Sequence, residues 1–271
     1  MKIKYISIIF MLVSSLFLLT GCNTTEEVKN VSNTTNSTVT ESKEEHETEN
    51  INNFDYAKAA QKQMSKPEEG ETIAIIKVKN FGEMKVKFFE DIAPKAVENF
   101  TTHAKNGYYN GLTFHRVINE FMIQGGDPDG NGLGGESIWG TGFGTELALE
   151  AVPYRGSLCM AMSSQPNSIG SQFFITQANY SETMEGMLKN GGFPEKLVEQ
   201  YKSYGGYLSL YLQYTVFGQV YEGLDVLDKI AKVETESVPL IVDGVNYGNQ
   251  DDKPVKDVII ESIEITTYKS N

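Results

Sequence analysis

The chain is poor in the residues that build covalent cross-links and metal sites. Its 271 residues include two cysteines and three histidines. Two cysteines cannot form the disulfide framework of a small secreted module, and no Cys, His or Asp spacing typical of a zinc site occurs. Cys159 lies in an apolar run, 158–161, which is typical of a buried side chain rather than of a nucleophile. We therefore expect no thiol chemistry, no metal and no cofactor.

Positive charge is also scarce. The chain has 23 Lys and Arg against 36 Asp and Glu, a formal net charge of −13. Binding to nucleic acid or to an anionic lipid surface requires clustered Lys and Arg. The composition therefore argues against nucleic acid as a partner and against electrostatic docking to a membrane.

The N-terminus has the features of a secretory signal. Lys2 and Lys4 precede the apolar stretch 5–19, which is followed by Leu19-Thr20-Gly21-Cys22. A basic start, an apolar stretch that is short for a membrane span and a small residue before the cleavage point are typical of a signal peptide, here residues 1–21. A cysteine directly after Leu-x-Gly resembles a bacterial lipobox.

In this interpretation Cys22 carries the lipid and becomes the first residue of the mature protein. A diacylglycerol group supplies two acyl chains, which are enough for stable anchoring. We therefore expect a protein held at the cell membrane by its lipid, on the extracytoplasmic face. An uncleaved anchor or a chance cysteine is the alternative.

Residues 22–66 are predicted to form a polar tether and residues 67–271 a single domain. The segment 23–53 is mostly Thr, Asn, Ser and Glu, and it cannot bury enough apolar surface to offset the entropy of ordering. A short helix is expected at 54–64, where the tether leads into the domain.

The sequence of the domain predicts a mainly β fold. Alternating runs at 73–79 and 83–89 flank Asn80-Phe81-Gly82, which predicts a hairpin. Helices are predicted from Pro94 to Lys105, with Gly107 just past the end, and from Glu222 to Lys232. The remaining short strands end in an apolar run that begins at Val258. Many short strands with two helices favour a closed antiparallel barrel, which leaves no exposed edge.

The run from Phe114 to Asp127, FHRVINEFMIQGGD, carries the most chemical information. Side chains alternate along a strand, so Arg116, Ile118, Met122 and Gln124 have the same parity and are predicted to line one surface. A permanent cation and an amide beside apolar side chains suit a ligand that combines an apolar ring with a peptide carbonyl.

Together with GSQFFI at 170–175 and VFG at 216–218, this run resembles the cyclophilins, which are peptidyl-prolyl cis–trans isomerases. The resemblance extends from about residue 72 to residue 265. It implies a closed, eight-stranded antiparallel barrel with a helix over each open end. Residues 179–213 exceed a simple connection and are predicted to be a partly helical insertion, with a helix at 193–205, that borders the substrate groove.

The resemblance also implies roles for individual residues. Arg116 matches the catalytic arginine, and His115 is expected to be a hydrogen-bonded structural residue because isomerisation transfers no proton. The substrate-binding positions are Phe121, Met122 and Phe174 for the proline ring, Gln124, Gln172 and Ala161 for the peptide backbone, and Tyr214 at the groove wall. Phe121 has the opposite parity from Arg116, so a bend or bulge near Asn119-Glu120 is expected to turn it into the groove.

Two positions depart from the family pattern. Tyr214 stands where cyclophilins commonly have a histidine, and the segment 208–211 has no tryptophan. In the family the histidine contacts substrate, and in many members the tryptophan contacts cyclosporin. The resemblance therefore implies weak cyclosporin binding.

Three functions fit these observations to different degrees. The first is a lipid-anchored prolyl isomerase that accelerates the folding of exported, proline-containing polypeptides. The second is a non-catalytic chaperone or proline-peptide-binding surface lipoprotein, which Tyr214 keeps open. A third, a solute-binding or adhesive lipoprotein, rests on the lipobox alone.

Overall fold

The structure of the chain, a computed structural model, describes residues 51–242 and 244–270. The predicted signal peptide 1–21, the lipidation site Cys22 and the first part of the tether lie outside the described residues. Within the described part, no helix combines the length and the apolar character needed to cross a bilayer.

Strands dominate the described part of the chain. In chain order they are β1 (Thr72–Val78), β2 (Gly82–Phe88), β3 (Arg116–Ile118), β4 (Met122–Gly125), β5 (Ser157–Met160), β6 (Phe173–Thr176), β7 (Val216–Glu222), β8 (Thr235–Val242), β9 (Val245–Pro254) and β10 (Ile260–Thr267). The α-helices are α1 (Tyr56–Met64), α2 (Pro94–Lys105), α3 (Glu182–Asn190), α4 (Glu195–Tyr204) and α5 (Leu224–Ala231), with a short 3-10 helix at Leu208–Leu210.

One antiparallel sheet of eight strands forms the body of the domain. Its strand order is β10-β1-β2-β7-β5-β6-β4-β3, and β8 and β9 form a separate hairpin. The sheet curls but remains open, because β3 and β10 are its two edges. Near these edges the chain makes a single antiparallel bridge, between Thr113 and Ile259, rather than a ladder. The prediction of a closed barrel is therefore wrong, although the mainly β, antiparallel architecture is confirmed.

The first hairpin and the first long helix form where local chemistry predicts them. Asn80 and Gly82, in the β1–β2 turn, adopt φ of 68° and 118°, the conformation that Gly and Asn tolerate best. Helix α2 has Pro94 in its first turn, where a missing N–H costs nothing. The Glu146 carboxylate accepts hydrogen bonds from the N–H groups of Lys95 and Ala96 at 3.1 and 2.9 Å, so it caps this helix from a distant part of the chain.

The two predicted helices pack on different parts of the curled sheet. Helix α2 contacts β7 and β10, and helix α5 contacts β2, β3 and β4. Their apolar faces enter the main core, where Phe100, Phe173 and Phe217 are fully buried. Trp139, the chain's only tryptophan, lies on a loop at the edge of this core, with its ring 5.4 Å from that of Phe143 and 44% exposed.

The insertion is a packed unit with its own apolar core. The predicted helix is confirmed as α4, which begins after Pro194 and ends at Gly205 with φ 62°. A second helix, α3, begins after Ser181, whose side chain accepts a hydrogen bond from the Met184 N–H. The insertion core joins residues from the insertion, from helix α1 and from the loop before β5. Its buried members are Tyr56, Ala60, Val152, Tyr154, Leu188, Leu197, Val198, Tyr201, Leu208 and Tyr211.

Helix α1 is attached to the sheet as well as to the insertion. The buried Gln63 amide donates to Val152 O at 2.7 Å and accepts from Val152 N–H at 3.1 Å. It also donates to Ser157 Oγ and Gln219 Oε1, both at 3.1 Å. The segment 22–66, predicted as a tether, therefore ends in a helix that packs against the domain.

Candidate active site

The β3–β4 hairpin presents the predicted surface. Arg116 lies opposite Gln124, and Ile118 lies opposite Met122. Residues directly opposed in an antiparallel pair have their side chains on the same face. The shared surface predicted for these four residues is therefore confirmed.

The turn of this hairpin changes the direction of Phe121. Glu120 has φ 59°, and the N–H of Phe121 donates to Ile118 O at 3.1 Å. The predicted bend is a tight turn, not a bulge. The Phe121 ring then packs on Tyr207 of the insertion, with ring centroids 4.3 Å apart.

The same face continues across the neighbouring strands. Gln124 pairs with Phe174, Phe174 with Cys159, and Cys159 with Val216. The alternate positions point the other way, and Phe173 is fully buried in the main core as predicted. The sheet thus separates the core from a second apolar surface.

This second surface is an apolar cluster, called here the groove cluster. Its buried members are Met122, Ala151, Cys159, Phe174 and Val216, and partly buried residues pack on it, namely Phe89, Ile92, Ile118, Phe121, Ala161, Leu210 and Tyr214. The five apolar and aromatic residues predicted to bind substrate all belong to it: Phe121, Met122, Ala161, Phe174 and Tyr214. The Phe174 and Tyr214 rings meet edge to face at 5.6 Å. A buried floor with a half-exposed rim suits an apolar ring that enters from solvent.

The two predicted glutamines contact each other. Gln124 Nε2 donates to Gln172 Oε1 at 2.9 Å. Gln172 Nε2 in turn donates to Gly132 O at 3.1 Å and to Gly134 O at 2.8 Å. Both N–H groups of Gln172 are therefore engaged by the glycine-rich loop, and Gln172 holds Gln124 in place. The carbonyl oxygen of the Gln124 side chain is not used in this contact.

Arg116 stands at the open side of the groove cluster with 39% of its side chain exposed, and its Nε lies 3.9 Å from Asp252 Oδ2. Asp252 comes from β9, in the separate hairpin, and sequence analysis did not single it out. Burial raises the pKa of the Asp252 carboxyl, the charge of Arg116 opposes this rise, and Asp251 adds to it.

His115 faces the opposite way from Arg116 and is buried. Among the described residues neither of its ring nitrogens has a hydrogen-bond partner, so the expectation of a hydrogen-bonded histidine is wrong. Burial lowers the pKa of His115 to about 4. Asp127 opposes this shift, and the charge of Arg116 adds to it. The imidazole is therefore neutral at pH 7.

Cys159 lies in the floor of the groove cluster and is fully buried. Burial raises the pKa of its thiol, which disfavours the reactive thiolate. In the segments 51–242 and 244–270, no group of three or more His, Cys, Asp or Glu side chains is arranged to hold a metal ion.

Sequence reasoning missed two neighbours of the site, Tyr207 and Asp252. Tyr207 follows Gly205 and Gly206, and no local pattern distinguishes it from other insertion residues. The sequence signal for the hairpin that carries Asp252 is the Asp-Gly pair at 243–244, which follows a run rich in β-branched residues and is typical of a hairpin turn.

Comparisons with known proteins agree with this geometry. The family model of cyclophilin type peptidyl-prolyl cis-trans isomerases matches residues 73–265. A peptidyl-prolyl cis-trans isomerase of Staphylococcus epidermidis is 48% identical over 204 residues, covering 75% of this chain and 96% of that protein. A protein of the same name from Staphylococcus saprophyticus is 49% identical over 197 residues, covering 72% and 93%.

Solved structures of a cyclophilin from Cryptosporidium parvum are also similar. One aligns with a TM-score of 0.55 at 30% identity and covers 74% of this chain and 99% of that chain. A second, crystallised in the presence of the dipeptide Ala-Pro, aligns with a TM-score of 0.54 at 31% identity and covers 73% and 99%.

Proposed function

Because the chain belongs to the cyclophilin family of peptidyl-prolyl cis–trans isomerases, we propose that Arg116 is the residue that accelerates isomerisation at the groove cluster. The enzyme class follows from the family. The observation that supports the arginine is its position on one face with Gln124 and Phe174, next to a half-open apolar surface.

The chemistry requires no proton transfer and no broken bond. Rotation about an X–Pro bond crosses a barrier of about 18–20 kcal/mol because amide resonance is lost in the twisted form. In that form the proline nitrogen becomes pyramidal and basic. A donor that binds this nitrogen stabilises the twisted state more than either planar state, which is the condition for catalysis. Arg116 suits this role because a guanidinium stays charged and presents several donors in a rigid plane.

The groove cluster supplies the rest of the site in this proposal. The proline ring packs on Met122 and Phe174, with Phe121 as a side wall. Exclusion of water by these residues strengthens the hydrogen bond from the arginine. Gln124 and the backbone at Ala161 bind the peptide, Gln172 orients Gln124, and Tyr214 closes the wall next to Phe174.

We further propose that the substrates are unfolded, exported polypeptides that contain proline. Uncatalysed X–Pro isomerisation takes tens of seconds and can limit folding. A lipid on Cys22 would hold the domain at the extracytoplasmic face of the cell membrane, where newly exported chains fold. The groove cluster supports this proposal because the residues at its rim are partly exposed, so an extended chain has access to it.

We expect cyclosporin to bind weakly, because Tyr214 alters the wall next to Phe174 and the segment 208–211 contributes Leu210 instead of a tryptophan. Calorimetric titration of the full chain would test this. Tight binding would count against the argument from the altered rim.

Replacing Arg116 tests the mechanism. Arg116→Ala should lower kcat/KM for a short X–Pro peptide about tenfold or more, since a charge-assisted hydrogen bond contributes roughly 1.5–3 kcal/mol. A protease-coupled isomerisation assay with the full chain measures the effect.

Lys77→Ala is the matched control. Lys77 is a comparably exposed cation on β1, 3.9 Å from Glu264, so the variant loses the same charge outside the groove and should keep full activity. If Arg116→Ala is fully active at unchanged stability, the mechanism is wrong, and a proline-peptide-binding role without catalysis becomes the better hypothesis.

A further inference from the structure

The β8–β9 hairpin lies against β3 and is held there by a side chain from its second strand. Gln250 Nε2 donates to His115 O and to Gly130 O, both at 3.2 Å. One amide therefore joins the hairpin to the residue before Arg116 and to the glycine-rich loop. The hairpin therefore forms a wall beside the arginine.

A bulge in β9 turns one residue of this wall toward the groove. Glu236 pairs with Lys253 and Val238 with Gln250, so β9 has one more residue than β8 between these pairs. The extra residue falls at Asp251 and Asp252, and Asp252 adopts φ 62°. Bulges redirect side chains and recur next to active sites.

The bulge is stabilised from within the hairpin. Ser237 Oγ donates to Asp251 Oδ1 at 2.5 Å, and Asn249 Nδ2 donates to Ser237 Oγ at 3.1 Å. Asp251 is thus tied to the hairpin, and Asp252 is left to face Arg116. A left-handed backbone at a residue other than glycine is unfavourable, so these contacts offset a local cost.

We propose that Asp252 is a positioning residue for Arg116, a role that rests on the proposed function of that arginine. Its carboxylate approaches Nε at 3.9 Å, at the stem end of the guanidinium. The two terminal nitrogens lie beyond Nε along the side chain, and in the proposed mechanism they are the donors to the peptide. An anion at Nε restricts rotation of the side chain and keeps the guanidinium plane directed at the groove cluster.

The size of the effect follows from exposure. The two side chains are 39% and 37% exposed, so water weakens their attraction. Positioning alters the population of the productive arginine rotamer rather than the affinity for a peptide. The change should therefore appear in kcat more than in KM.

Asp252→Asn in the full chain tests the proposal, because it keeps shape and removes charge. The expected result is a two- to fivefold lower kcat, about the scale of a partly exposed ion pair, with a smaller change in KM. In an Arg116→Ala background the same substitution should have no further effect. The matched control is Glu264→Gln, which removes the anion of the equally long Lys77–Glu264 pair and should leave kcat unchanged.

A second measurement is independent of catalysis. The chain has two arginines, Arg116 and Arg155, so the NMR spectrum contains two Nε–Hε side-chain signals. Asp252→Asn should shift the Arg116 signal and leave that of Arg155, which pairs with Asp228, in place.

An unchanged Arg116 signal, or a kcat that is unchanged or higher in Asp252→Asn, would overturn the positioning role. Full activity of Arg116→Ala would instead overturn the proposed mechanism. The NMR shift would then still report the contact, so the two failures are distinguishable.

Discussion

At the scale of single residues, His115 combines burial with a lack of polar partners in the described part of the chain. A buried polar group without a hydrogen bond is destabilising, and a charged one would cost more. The side chain therefore stays neutral, and its effect on the protein is on stability rather than on the reaction.

The free energy of unfolding should fall as the pH is lowered through the range set by His115. Its pKa is about 4 in the folded protein and about 6.5 in an unfolded chain. Between these values the unfolded chain binds a proton that the folded protein does not, so stability present above pH 6.5 is lost as the pH falls toward 4. Between pH 7 and pH 5 the loss should be about 2 kcal/mol, measured by urea unfolding at these two pH values.

His115→Leu should flatten this dependence without abolishing it, because burial also lowers the pKa of His103. If the variant and the parent chain show the same slope of stability against pH, His115 is not its source. Activity of the variant at pH 7 should stay close to that of the parent chain.

The groove residues were predictable where strand parity decided the outcome. Met122 and Gln124 alternate with buried core positions, so their shared face followed from the sequence. Parity does not tell whether this shared face lies toward the main core or toward the substrate. That assignment came from the resemblance to cyclophilins. The contact of Asp252 with Arg116 was not predictable. It depends on a bulge 136 residues along the chain from Arg116, and no local sequence pattern reports a contact between residues so far apart.

At the scale of elements, the insertion is fastened to the loop before β5 by a close backbone approach. Gly206 has φ 104°, and a Cβ at this position would collide with Pro153 O and with the Tyr154 backbone. Tyr207 follows directly and packs on Phe121. This short connection therefore sets the distance between the insertion and the groove.

Two glycine substitutions in the insertion should have opposite effects. Gly206→Ala should reduce the free energy of unfolding by roughly 1–3 kcal/mol, through the collision and the unfavourable φ. Gly186→Ala, in helix α3 with no atom within 4 Å of the added Cβ, should raise it by about 0.5–1 kcal/mol. Urea unfolding of both variants is the measurement.

The same two variants also probe the groove. Gly206→Ala should raise KM for a peptide because Tyr207 moves relative to Phe121, whereas Gly186→Ala should not. Equal stability of the two variants would contradict the close approach at Gly206.

Helices were predicted well where an apolar periodicity is bounded by a proline at its start and a glycine at its end. Pro94 and Gly107 bracket α2, and Pro194 and Gly205 bracket α4. The β8–β9 hairpin was missed although the sequence has an Asp-Gly pair at 243–244, because β9 is mostly polar and lacks alternation. The closed barrel was wrong for a different reason, since closure depends on pairing between β3 and β10, which no local signal reports.

At the scale of the whole molecule, the proposed lipid anchor and the domain depend on different parts of the chain. The signal peptide and the lipobox are predictions from the sequence, and Cys22 is the attachment point that we propose. The net charge of −13 gives no help in binding an anionic surface.

Cys22→Ser should release the protein from the membrane fraction or leave its precursor uncleaved, because the proposed anchor consists of the two acyl chains on Cys22. Fractionation followed by mass measurement of the mature N-terminus tests this. Cys159→Ser is the control and should stay in the membrane fraction. A Cys22→Ser protein that remains membrane-bound after signal cleavage would contradict the lipid anchor.

The location of Trp139 also has a spectroscopic consequence. Its indole is 44% exposed and packs on Phe143, a main-core residue, rather than on the groove cluster. Intrinsic fluorescence of this chain therefore reports the solvation of that loop. A peptide that fills the groove would leave the emission spectrum nearly unchanged, and a silent titration would be mistaken for absence of binding. A dye on the peptide, or a tryptophan introduced at Tyr207, would place the chromophore where the ligand arrives.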